Sequence, residues 1–218
     1  MAYSIPSDVQ QQIAAHEFIC GSDECGLGSW SGPLSVCAAV APRGWTLAGV
    51  TDSKKLTRLA RERLYPQLIK QVTYCLVHIE PAEFDALGAG RAYIEAHTRA
   101  ITGALKAHRI KGHESPPLII IDGVRSVAGA IPFPKADVLI PAVSAGSIIA
   151  KVNHDWRMDE LDKQFPGYDF SKNAGYGVPA HRAALKRLGV SGAHRLSYAP
   201  MRDMISGLAD ALTATGLE

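Results

Sequence analysis

Long apolar runs are missing from this 218-residue chain. No stretch approaches the ~20 residues that a bilayer-spanning helix needs, and Met1 to Gln12 is too polar for the apolar region of a signal peptide. A cytoplasmic protein without a membrane partner is therefore expected. Cysteine pairs are missing too. Cys20, Cys25, Cys37 and Cys75 lie singly in or beside apolar segments and never as CxxC, which argues for buried free thiols and against structural zinc. Neither sign of charge dominates, with 23 Lys and Arg against 21 Asp and Glu for a net +2. That balance permits a polyanionic partner without demanding one, so local clusters must carry the argument. No internal repeat, low-complexity tract, core-splitting linker or exposed apolar stripe is evident, and one domain over residues 1–218, acting as a monomer, is expected. No G-x-S-x-G elbow supports a Ser/His/Asp hydrolase, although eight histidines are present.

What is present is concentrated in EFICGSDECGLGSWSGP, residues 17–33. The apolar Phe18-Ile19-Cys20 runs into two adjacent carboxylates, Asp23 and Glu24, and then into Gly26, Gly28 and Gly32. This reads as a buried strand that delivers charge to a site at its end. Neighbouring strand residues point to opposite faces, so the two acids share one site only if the strand ends or bulges there. The glycines permit that turn and leave backbone N–H groups accessible to a ligand. Buried together without a partner, the two acids would raise each other's pKa or destabilise the fold, and a divalent cation resolves the conflict. A solvated turn bearing surface acids would look the same in isolation.

The remaining pattern alternates strands with helices. A short helix is expected over residues 7–15 with Ser7 as N-cap, and a second strand over 34–41 that returns antiparallel. Lys54 and Lys55 precede a helix with Thr57 as N-cap and Leu59, Leu64, Leu68 and Ile69 in its pattern, a placement suited to anion binding or to plain solvation. A third strand spans 72–79, Pro81 opens a short helix, and 91–108 forms a longer one with Ile94, Ile101 and Leu105 on one face. Leu118-Ile-Ile-Ile-Asp122-Gly123 reads as a strand buried on both faces that ends in an acid, at the edge where open α/β sheets place ligands. ADVLI, residues 136–140, reads as a further short strand.

From Ser144 a helix carries Ile148, Ile149, Val152 and Trp156 on one face, with Asp155 at its margin; His154 is read either as a group that tunes a metal site or shuttles a proton, or, in preference, as a surface residue. Lys172 to Gly177 is a glycine-punctuated loop tipped by Tyr176. A helix from Pro179 to a C-cap at Gly189 follows, and a last one starts near Met201. His181 and His194 are read either as phosphate contacts near Tyr176 or as surface or locally capped histidines.

Asp23, Glu24, Asp122 and Asp155 make a hard-oxygen set without His or Cys, which suits Mg²⁺ or Mn²⁺ over zinc. Two-ion phosphodiester hydrolysis would use such a set, with Lys54, Lys55, Lys151, Lys172 and the bare glycine loop holding phosphates. At this point GSDECGLGSWSGP, TDSKKL, IIIDG, SIIAKVNHDW, NAGYGVPAH and HRLSYAP, in that order over about Phe18 to Arg202, resemble the ribonuclease HII family.

The resemblance implies an α/β ribonuclease H-like fold: a mixed five-stranded sheet flanked by helices, with a small C-terminal helical extension over about 170–218 that binds substrate. It implies an endonuclease that cuts the RNA strand of RNA–DNA hybrids to 5′-phosphate and 3′-hydroxyl ends, and that acts at ribonucleotide-containing duplex DNA in replication and repair. By motif, Asp23, Glu24, Asp122 and Asp155 are the catalytic, metal-binding acids. Tyr176 matches the tyrosine that stacks at the RNA–DNA junction, and Gly26-Leu27-Gly28 the loop that senses the 2′-hydroxyl.

The family usually has Arg or Lys where Leu27 stands, and leucine can neither donate a hydrogen bond nor pair with phosphate. Weakened incision at a lone ribonucleotide is therefore expected. Related type 3 enzymes also carry a non-basic residue there but have an extra N-terminal domain, whereas only about sixteen residues precede the first strand here. Two rivals are weaker. A dinucleotide-binding loop is undercut by the displaced third glycine and by strand-like PLSVCAAV after it. A domain that holds hybrids without cutting them is undercut by the presence of all four acids.

Overall fold

The computed structural model describes residues 4–127 and 129–215, with side chains to Gly207. Five strands, β1 (Phe18–Cys25), β2 (Leu34–Pro42), β3 (Thr73–Ile79), β4 (Leu118–Asp122) and β5 (Ile131–Phe133), form one sheet in the order β3-β2-β1-β4-β5. β1 runs antiparallel to β2 and parallel to β4, and β4 runs parallel to β5. The mixed sheet and the short return from β1 to β2 are as expected from the sequence.

Nine helices accompany it among the described residues: α1 (Ser7–Ala15), α2 (Arg58–Gln71), α3 (Pro81–Leu87), α4 (Ala89–Ile110), α5 (Ala136–Leu139), α6 (Pro141–Gln164), α7 (Phe170–Asn173), α8 (Pro179–Leu188) and α9 (Ala199–Thr215). The chain divides into two compact units. The first holds residues 1–25, 35–78 and 93–153, and the second residues 26–34, 79–92 and 154–218.

In the first unit a single core joins Ile19, Cys37, Ala39 and Ile120 of the sheet to Leu64 and Leu68 of α2 and Val143, Ile148, Ile149 and Val152 of α6. Burial of this apolar surface is the main source of stability. α6 approaches the strands without intervening side chains. A Cβ on Gly21 would lie 2.2 Å from the Val143 nitrogen, and one on Gly146 would lie 2.8 Å from the Cys37 carbonyl oxygen. Thr57 caps α2 by accepting from Ala60 N–H, as its position predicts.

Several expectations are corrected. ADVLI forms helix α5, not a strand: Lys135 turns left-handed at φ 69° and starts the helix, and the fifth strand is Ile131–Phe133. That strand contains Pro132, which only a sheet edge tolerates, and β5 is at the edge. Ser7 begins α1 without capping it, because Pro6 occupies the N-cap. Ile94 and Trp156 are exposed, while the buried faces of their helices carry Tyr93, His97, Ala100 and Ile101 on α4 and Ile148, Ile149 and Val152 on α6. Cys20 and Cys37 are buried free thiols, but Cys25 and Cys75 are only partly covered.

The second unit has its own apolar cluster of Met158, Leu161, Phe170, Leu185 and Met201. His181 and His194 sit inside it, buried, with their Nε2 atoms 3.1 Å apart. His181 Nδ1 meets the Tyr176 carbonyl at 3.0 Å, and Ser191 N–H donates to His194 Nδ1 at 3.0 Å. They are interior residues that fix neighbouring loops, so the surface alternative does not hold.

Gly21→Ala should lower unfolding free energy by about 1–3 kcal/mol or more, because the methyl meets backbone that cannot yield; denaturant titration measures it. Burial, and then His181, lowers His194 to a pKa of about 4, so the unfolded state binds this proton first. The stability contribution is complete above the unfolded histidine pKa near 6.5 and falls as pH drops toward 4. Thermal melts between pH 7 and 5 should show this loss, and His194→Asn should flatten it.

Candidate active site

Strand β1 ends at Cys25 because Gly26 turns left-handed at φ +86°. Alternation along β1 sends Asp23 to one face and Ser22 with Glu24 to the other. Asp23 is buried and accepts a hydrogen bond from Glu24 N–H at 2.8 Å and another from the Ser147 hydroxyl of α6. Asp122 ends β4, the parallel neighbour of β1, so the same sheet edge carries both acids.

The third member is one that the sequence reading did not single out, Asp137 in the first turn of α5. Asp23, Asp122 and Asp137 each offer a carboxylate oxygen, and these oxygens lie within 4.8 Å of one another. Reading residues 136–140 as a strand hid Asp137. The αL turn at Lys135 and the short helix are what present it.

Electrostatics mark the cluster as charged beyond what its surroundings neutralise. Burial, then Glu24 and Asp122, push the Asp23 carboxyl well above the usual range. Burial, then Asp122 and Asp52, raise Asp137. Lys54, in the 3₁₀ turn Ser53–Lys55, is disfavoured by partial burial, yet Asp23, Asp137, Asp52 and Asp122 outweigh this and raise its pKa. Its ammonium lies in the field of these acids, and Lys135, beside Asp137, opposes the rise there as well.

Asp122 Oδ1 and Asp137 Oδ1 are buried with no hydrogen-bond partner among the described residues. Opposite ligands on one Mg²⁺ stand about 4.2 Å apart, so small side-chain movements would bring all three oxygens onto a single hard cation. The donor set, all carboxylate oxygen, fits Mg²⁺ or Mn²⁺.

The other proposed residues divide between the units. Glu24 lies on the α4 side of β1, with Oε2 3.6 Å from His97 Nε2. Lys55 is exposed and Lys151 half-buried, both in the first unit.

Asp155 is in the second unit, buried on α6 after His154. His154 is fully buried rather than on the surface, with its ring against Gly26, where an added Cβ would meet Cε1 at 2.6 Å. Lys172 is exposed and paired with Asp169 at 3.1 Å. The Gly26-Leu27-Gly28 loop is pinned from behind. Leu27 oxygen accepts from Arg195 Nη1 at 2.9 Å and from the Tyr198 hydroxyl. Trp30 N–H donates to the Gly175 carbonyl at 2.8 Å, and the position of a Cβ on Gly28 lies 3.9 Å from Tyr176 Cε1. The loop and the tyrosine are therefore neighbours.

A mixed sheet of this order, with carboxylates gathered at the ends of its two central strands, defines a nuclease of the ribonuclease H-like fold. The solved ribonuclease H2 from Pyrococcus horikoshii OT3 shares it, with a TM-score of 0.67 and 25% identity over 88% of this chain and 99% of that one. The chain belongs to the ribonuclease HII family, whose profile matches residues 20–201. Ribonuclease HII of Hyphomonas neptunium is 37% identical over 205 residues, covering 88% of this chain and 99% of its own. Ribonuclease HII of Desulfitobacterium hafniense strain Y51 is 39% identical over 191 residues, covering 86% and 70%. The chain is accordingly a ribonuclease, a phosphodiester hydrolase.

A raised carboxyl pKa means that the folded, metal-free protein loses stability as pH rises through it. Asp23→Asn should therefore raise the melting temperature of EDTA-treated protein at pH 7–8, by about 2–4 °C for each kcal/mol of relieved repulsion. Millimolar Mn²⁺ should raise the melting temperature of the parent protein and move that of Asp23→Asn little.

Proposed function

We propose that this ribonuclease cuts the RNA strand of RNA–DNA hybrids, leaving 5′-phosphate and 3′-hydroxyl ends, with Mg²⁺ or Mn²⁺ as cofactor. One observation carries the reading: three carboxylates from β1, β4 and α5 converge with two of their oxygens buried and unpartnered among the described residues. Asp23, Asp122 and Asp137 would hold the ion, and Glu24 adjoins them along β1. Asp155 keeps its place among the catalytic acids on the motif match alone. Divalent-ion chemistry supplies an activated water and counter-charge for the phosphate.

The protein's own groups do the remaining work. Lys54 offsets phosphate charge beside the acids. The Gly26 and Gly28 backbone, held by Arg195 and Tyr198, reads the ribose 2′-hydroxyl, and Tyr176 stacks on the adjoining nucleotide. Lys55, Lys151 and Lys172 add diffuse attraction for the duplex, and the helical segment from about residue 170 serves as a substrate-binding extension. Leu27 removes the side-chain donor that would mark a lone ribonucleotide in duplex DNA, so such sites are cut less well. The enzyme acts as a cytoplasmic monomer in replication and repair.

Defined substrates test this. An RNA–DNA hybrid should be cut in Mg²⁺ or Mn²⁺ and left intact in EDTA, and a duplex with one ribonucleotide should be cut more slowly. Leu27→Arg should narrow the difference. Equal rates for the parent enzyme would contradict the role given to Leu27, and metal-dependent binding without cleavage would contradict the nuclease reading. Asp137→Asn should lower hybrid cleavage at least about 100-fold, since even outer-shell partners of a metal site are worth 10–100-fold.

A further inference from the structure

Among the described residues of the first unit, His97 is a fully buried imidazole that faces the acid end of β1, and the proposed function does not use it. It projects from the buried face of α4. Its Nδ1 lies 2.9 Å from Ser22 Oγ and its Nε2 3.6 Å from Glu24 Oε2, with the Tyr93 ring 4.4 Å away at its side. Ser22 and Glu24 are two residues apart on β1, so the strand's alternation brings both to the same ring.

When the Ser22 hydroxyl donates to Nδ1, the ring proton sits on Nε2, facing Glu24. That nitrogen is buried and makes no hydrogen bond within normal range among the described residues. A buried donor in this state is costly to leave unmade, and the nearest acceptor is the Glu24 carboxylate, a few tenths of an ångström beyond bonding distance. Catalytic hydrogen bonds are commonly long in ligand-free sites and tighten when the site fills.

We infer that His97, anchored by Ser22, is a positioning residue for Glu24: it takes up Oε2 and leaves Oε1 directed at the reacting phosphate and its ion. The inference rests on the nuclease reading above, because it assigns Glu24 a catalytic role. Glu24 is partly exposed and lies outside the trio of Asp23, Asp122 and Asp137. A carboxylate in that position would otherwise sample several rotamers, each lost on ordering. The buried ring supplies a fixed partner from behind, as outer-shell groups do for metal ligands. Tyr93 completes the wall. Its hydroxyl is 3.5 Å from the Asp122 carbonyl oxygen, so α4 braces both strand ends from one face.

The test is steady-state cleavage of an RNA–DNA hybrid in Mg²⁺ by the full chain and its variants, with thermal melts as a folding control. His97→Phe keeps the ring volume and removes the donor, and it should lower kcat about 10–100-fold with KM nearly unchanged. His97→Gln, which retains a donor toward Glu24, should recover kcat to within about 3-fold of the parent. In a Glu24→Gln background, His97→Phe should add less than about 2-fold, because two residues acting through one carboxylate are not additive.

Ser22→Ala, which leaves the core shape intact, should lower kcat in the same direction by less, and it serves as the probe if His97→Phe does not fold. Unchanged kcat in His97→Phe or Ser22→Ala, or full additivity with Glu24→Gln, overturns the inference while leaving the nuclease reading in place. Absence of hybrid cleavage by the parent protein overturns the nuclease reading itself.

Discussion

Mutual repulsion among Asp23, Asp122 and Asp137 is the constraint around which the first unit is built. Three carboxylate groups with oxygens within 4.8 Å of one another, at the sheet edge, repel one another strongly in a poorly solvated setting, and a cation relieves that repulsion. The protein supplies part of the answer itself. Glu24 N–H and Ser147 hold Asp23, and Lys54 lies within the field of all three acids. The ammonium groups of Lys54 and Lys135 do not balance three carboxylates and the nearby Glu24, and two of the cluster's oxygens have no donor among the described residues. A hard divalent ion meets both deficits at once. The cluster is therefore better understood as half of a coordination site than as a structural ion-pair network.

Holding acids against their own repulsion requires a rigid frame, and two close approaches of backbone to backbone lie beside them. Gly21, two residues before Asp23, lies against the α6 backbone at Val143. Gly146, one residue before Ser147, lies against the carbonyl of Cys37, which is Asp23's register partner on β2. Parallel pairing of β1 with β4 fixes the height of Asp122 relative to Asp23. On the opposite face, His97 and Tyr93 wall off Glu24. Backbone contacts of this kind leave little room for the acids to drift apart, which is how a sheet edge keeps a charged site preorganised.

Much of this was legible in the sequence. Strand-terminating Asp-Glu and Asp-Gly pairs announced Asp23, Glu24 and Asp122, because an apolar run that stops at an acid has few other uses at the carboxyl end of a strand. The glycine loop and Tyr176 were legible from the motifs, and the structure makes them neighbours in the second unit.

Asp137 was not legible. ADVLI alternates like a strand, and its conversion to a helix depends on a left-handed Lys135, a residue type that gives no such signal. β5 was hidden by Pro132, which only its edge position permits. His97 was equally silent. Its face of α4 mixes small alanines with Tyr93 and Ile101, so periodicity caught Ile101 but also pointed to Ile94, which is exposed. His154, His181 and His194 show the same limit, since burial of a histidine is set by tertiary partners that local pattern does not carry.

The position of the cation decides whether these three carboxylates form the metal site. Anomalous diffraction from a crystal of the protein soaked in Mn²⁺ measures this directly. A manganese peak bonded to oxygens of Asp23, Asp122 and Asp137 is the predicted result. A peak held by other residues without Asp137, or none at this sheet edge at saturating Mn²⁺, would contradict it.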